Sequence, residues 1–198
     1  MLGGDIDKVD WERIPLIKAP IYERGSDVER PDLIRFEGRF AHDARFFYLE
    51  LVQIRDLKKI HISGCVNPYD DWEVIVARQR AQPYRCYFAD PDNRVFAGSW
   101  GEINWRQSVW SKETVKDPAY FAKVCSILEK PNRWIERFVM PLDKMTDAPL
   151  KPGDTFFLNP VAVLNPGANS GRSIGIFTPI SYSTVHTVDR SAAIQLER

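Results

Sequence analysis

NPYDDWEVIVARQRAQPYRCYFADPDNRVFAG, residues 67–98, reads as two strands joined by a short polar loop. The first strand, 72–77, alternates: Trp72, Val74 and Val76 point one way, Glu73 and Ile75 the other. The second, 83–89, puts Tyr84, Cys86 and Phe88 on one face and Arg85 and Tyr87 on the opposite one. Successive side chains of a strand face opposite sides of the sheet, so each strand has a core side and an outer side. If both apolar sets face the core, Glu73 and Arg85 stand together on the outer face. The turn ADPDN, rich in Asp, Pro and Asn, closes the second strand.

Working outward, FFYLELVQI at 46–54 is apolar on both faces, the pattern of a strand in the middle of a sheet. WIERFVM at 134–140 and TFFLNPVAVL at 155–164 also read as strands, the second interrupted by Pro160. Further short strands fall at 35–40, 173–178 and 192–196. Asp117 and Pro118 suit an N-cap and first helical position, and Phe121, Val124, Cys125 and Leu128 follow at helical spacing. This predicts one short helical excursion at 118–130. Roughly eight to ten strands separated by Gly, Pro and Asp turns predict an all-β fold, an antiparallel, jelly-roll-like β-sandwich. One domain over 1–198 is expected, with 1–35 an irregular N-terminal segment broken by Pro15, Pro20 and Pro31.

Charge is balanced, 27 basic against 27 acidic residues, so nothing draws the chain to nucleic acid. No apolar run reaches the length of a transmembrane helix, so no membrane insertion is expected. The start, MLGGDIDKVDWER, lacks the pattern of a signal peptide. An extracellular or periplasmic location is expected if the chain belongs to a longer exported protein. Cys65, Cys86 and Cys125 form no CxxC pair and, with three His, give no zinc signature.

A nucleophilic enzyme is poorly supported: there is no GxSxG elbow, and His42, His61 and His186 lie in separate contexts. Asp70, Asp71, Glu73, Glu102 and Glu136 are the carboxylates from which a glycoside hydrolase or lyase could draw an acid–base pair. Binding fits the residues better. A sugar ring offers an apolar C–H face to aromatic side chains and its hydroxyls to planar charged groups. Arg suits two hydroxyls at once because its fork is planar. Glu73 and Arg85, with Tyr69 just ahead of them, have that chemistry.

Three blocks make the chain resemble family 9 carbohydrate-binding modules. DDWEVIV at 70–76 is similar to the family strand D-S-V-E-I-F-I, and PYRCYF at 83–88 to the strand after it, with Arg85 on its Arg. WIERFVMPLDKMTDAPLKPGDTFFLN at 134–159 is similar to W-x-x-E-x-x-I-P, a spacer, then P-G-D-x-x-G-F-N, with Asn159 on the final Asn. The resemblance implies a non-catalytic β-sandwich that binds a glycan end or a small sugar. It implies that Glu73 and Arg85 hydrogen-bond hydroxyls, with two aromatic rings clamping the sugar. The first clamp position falls near Asn67 or Tyr69. Before the last strand Tyr182 is the aromatic residue, and His186 matches a His of many members. Trp100 or Trp105 would add stacking area. The family also implies a structural calcium, without an assigned ligand set, and a catalytic domain in a longer chain. A related group of sandwiches binds haem b through Met, His or Lys; the residues for that alternative are Met140, Met145 and His186.

Overall fold

The computed structural model describes residues 3–32, 34–60, 70–100, 113–114, 123–164, 172–180 and 188–198. Among them twelve strands are present. They are β1 (Ile21–Glu23), β2 (Arg35–His42), β3 (Phe46–Ile54), β4 (Asp71–Ala77), β5 (Tyr84–Ala89) and β6 (Val95–Trp100). β7 (Glu113–Thr114), β8 (Lys123–Glu129), β9 (Arg133–Pro141), β10 (Thr155–Leu164), β11 (Arg172–Ile176) and β12 (Ala192–Gln195) follow. All pairings are antiparallel. A four-stranded sheet runs β2-β3-β9-β8, and an eight-stranded sheet runs β1-β11-β10-β4-β5-β6-β7 with β12 on β10. This is the β-sandwich that the alternating pattern predicts.

β3 lies inside its sheet, between β2 and β9, as its two apolar faces require. Phe47, Leu49 and Leu51 point into the core, where they meet Trp72, Val74 and Val76 of β4. Trp72 and Trp134 pack across the sandwich at 6.3 Å between ring centroids, and Phe47 meets Phe156 edge-on at 5.2 Å. Each such ring, fully buried, contributes about 1.5–3 kcal/mol by leaving water.

The N-terminal segment is part of the architecture. Two 3-10 turns, Ile6–Lys8 and Trp11–Arg13, carry Val9 and Trp11 onto Tyr48 and Val139 behind the small sheet. β1 joins the edge of the large sheet against β11.

The expected helix at 118–130 is not formed over its described part. Lys123–Glu129 is β8, paired with β9 from Lys123↔Val139 to Glu129↔Arg133. Residues 118–122 lie outside the described residues. The helical spacing of Val124, Cys125 and Leu128 is outweighed by ladder pairing: Val124 stands opposite Phe138 and Ser126 opposite Glu136. Nor does Pro160 interrupt β10. On one side β10 pairs with β4 throughout 157–163. On the other, β12 covers 155–158 and β11 covers 161–164, so Pro160 falls in the step between them. A residue without an N–H is tolerated where a ladder position has no partner.

Candidate functional site

Antiparallel partners share a face, so the ladder of the large sheet fixes what each side presents. On the core side stand Trp72, Val74 and Val76 of β4, opposite Ala89, Tyr87 and Arg85 of β5. On the outer side three rows cross the sheet. Val161, Glu73 and Phe88 make one; Asn159, Ile75, Cys86 and Gly98 the next; Phe157, Ala77, Tyr84 and Trp100 the third. Asp71 opposes Val163 one step beyond the first row.

Glu73 and Arg85 are therefore not on one face. Two strands that both alternate are brought into register with Val76, not Glu73, on the side of Arg85. Each strand carries an apolar set on both faces, and the set Tyr84, Cys86 and Phe88 belongs to the outer side. Arg85 instead lies at the end of the sandwich, where its Nε donates to the carbonyl oxygen of Lys144 at 3.1 Å.

The outer face is a second apolar cluster, separate from the core between the sheets. It joins Ile75, Tyr84, Cys86, Phe88, Trp100 and Val161 with Ile180 and Val188. Trp100 and Tyr84 stack with ring planes 3° apart and centroids at 5.5 Å. Trp100 also lies back across Gly98: a Cβ there would sit 2.5 Å from its Cη2. Gly98 thus lets the indole lie flat on the sheet. Into this surface Glu73 and Asn159, both buried, project as diagonal neighbours on adjacent strands. Burial pushes the Tyr84 phenol up, with the Cys86 and Glu73 charges adding to it, so it stays a neutral hydroxyl. The face thus combines a flat aromatic platform with buried polar groups.

Of the other expected site residues, Tyr69, Tyr182 and His186 lie outside the described residues, as does Trp105. Asp71, the buried carboxylate two residues from Glu73, was not among the sugar contacts that the sequence suggested. Its place on the face becomes visible only from the register. Cys86 is buried on the same face. Glu136 lies between the sheets beside Trp134, so it cannot share a ligand with Glu73. Met140 and Met145 are packed in the core between the sheets. Among the described residues no three His, Cys, Asp or Glu side chains converge to hold a metal ion. No helix among them is long and apolar enough to cross a membrane.

No protein-family model matches the sequence, and no curated protein matches it. Solved structures do. A candidate carbohydrate-binding protein of Bacteroides uniformis superposes with a TM-score of 0.66 at 15% identity, over 93% of this chain and 87% of that one. A family 9 carbohydrate-binding module of Caldicellulosiruptor kristjanssonii, solved with cellotriose, gives 0.64 at 11% identity, over 98% of this chain and 87% of that one. A family 9 module of the same organism solved with glucose gives 0.65 at 11% identity, over 96% and 90%. The chain thus has the fold of the family 9 carbohydrate-binding modules along nearly all of its length.

Proposed function

We propose that the domain is a non-catalytic carbohydrate-binding module, taking a glycan end or a small sugar on the outer face of its eight-stranded sheet. The observation that carries this is the pairing of buried Glu73 and Asn159 with the flat Trp100–Tyr84 platform on one face. Glu73 and Asn159 would take the sugar's hydroxyls, and the Tyr84–Trp100 stack, itself buried, backs them with an apolar aromatic surface. The likeness in fold to modules solved with cellotriose and glucose supports the reading. Tyr69, Tyr182 and His186 are proposed to complete the site. Arg85 supports the end of the sandwich instead of the ligand. The module is proposed to act outside the cytoplasm, beside a catalytic domain in a longer chain.

Isothermal titration with glucose, cellobiose and cellotriose tests this. Wild type should bind at least one, and Glu73→Ala and Asn159→Ala should each weaken binding by about tenfold or more. Binding untouched by both substitutions would place the site elsewhere; no binding to any of these or to a wider sugar panel would end the proposal.

A further inference from the structure

Asp71 is fully buried at the start of β4, on the outer face with Glu73. Among the described residues neither of its carboxylate oxygens has a hydrogen-bond partner. Two of the acids around it are answered. Asp70 pairs with Arg55 at 2.7 Å. Asp90, one residue past the end of β5, takes the Nε of Arg94 at 2.7 Å and the backbone N–H groups of Asp92 and Arg94. Asp71 has no such arrangement, and its position is a serine in the strand pattern that residues 70–76 resemble.

A buried carboxyl without a partner must keep its proton or receive a cation, since an isolated buried charge costs several kcal/mol. Burial, and then the charges of Glu73, Asp70 and Asp90, hold Asp71 well above the usual carboxylate range. The charges of three acids, Glu73, Asp70 and Asp90, bear on it, and Arg55 and Arg94 are engaged by two of them, so the local field favours a positive ligand group.

We propose that Asp71 makes the site selective for saccharides bearing an amino group, its carboxylate receiving the ammonium. This rests on the sugar-binding reading of the same face. An arriving ammonium displaces the carboxyl proton to solvent and leaves a charge-assisted hydrogen bond in a site of low dielectric. N-acetylation removes the charge and with it the advantage.

The test is titration calorimetry at pH 6 with glucose, glucosamine and N-acetylglucosamine, on wild type and Asp71→Asn. The expected result is that wild type binds glucosamine about tenfold tighter than glucose or the acetylated sugar. In Asp71→Asn the ratio should fall to near one. A melting curve confirms that this variant folds, and Asp71→Ser, which restores the pattern residue, replaces it if it does not. Glucose binding with no preference for glucosamine, or a preference that survives both substitutions, overturns the inference and leaves the sugar site standing. No binding of any of the three sugars removes the sugar reading and this inference with it.

Discussion

Glu73 and Arg85 stand on opposite faces of one sheet: Glu73 is paired with Phe88 on the outer side, and Arg85 with Val76 on the core side. Their roles should separate on mutation. Glu73→Ala should raise the Kd for sugar by about tenfold or more, the loss of a charged hydrogen-bond partner. Arg85→Ala should leave the Kd within about threefold and lower stability instead. Losing the Nε bond to Lys144 and the packing of a buried stem costs about 1–3 kcal/mol, or roughly 2–10 °C in Tm for a chain of this size. Titration calorimetry and thermal melts on the same samples check both; equal loss of affinity in the two variants would restore the shared-site geometry.

How far the sequence reveals this arrangement differs by feature. Alternation in 72–77 and 84–89 is plain, and both strands form where it predicts. Which alternate set faces the core is not, because β4 and β5 are buried along their whole length on both sides. An apolar/polar contrast orients a strand only when one face is wet. For β8 the competing signals are local helical spacing and pairing with β9, which begins at Arg133 just past the turn at 130–132 and folds back on β8 as a hairpin. Trp100 was legible as an aromatic near the hairpin, but its flat seat depends on Gly98, a neighbour two residues back whose role only the sheet geometry shows.

Gly98→Ala should tilt that seat. A methyl group there would lie 2.5 Å from Cη2 of Trp100, so the indole must lift from the sheet and its stack on Tyr84 must break. Overpacking of this kind costs about 1–3 kcal/mol. A lowered Tm, a shift in tryptophan fluorescence and weaker sugar binding should appear together. An unchanged spectrum with unchanged affinity would show that the platform is not Trp100.

On the opposite side of the molecule Glu50 ties three strands. Its two oxygens take Arg39 of β2 and Arg137 of β9, the latter at 2.8 Å. Arg137 also lies over the Trp11 ring at 5.1 Å, so the network reaches the N-terminal segment. Glu50→Ala leaves two guanidinium groups facing each other without their carboxylate and should cost about 2–3 kcal/mol. Glu50→Gln, which keeps an acceptor but not the charge, should recover part of that. Denaturant unfolding of both variants measures it, and sugar affinity should not move, since this face is remote from Glu73.

Glu136 should make the fold sensitive to alkali. It points between the sheets, receives Trp134 Nε1 at 3.2 Å, and leaves its other oxygen without a partner among the described residues. Burial raises its pKa from 4.5 to about 8, against smaller opposing contributions from Ser126 and Trp134 and a small push from Asp90. The folded state therefore binds a proton that the unfolded chain releases near 4.5. The sign follows: this contribution to stability is fully present below the unfolded value, declines as pH rises from about 4.5, and is lost by about 8. The slope from this group is at most about 1.4 kcal/mol per pH unit. Glu136→Gln keeps the shape and stays neutral, so its stability should be flatter between pH 5 and 8 and exceed wild type at the upper end. Urea unfolding of both proteins across that range decides it. Parallel curves would mean that Glu136 titrates alike in the folded and unfolded chains.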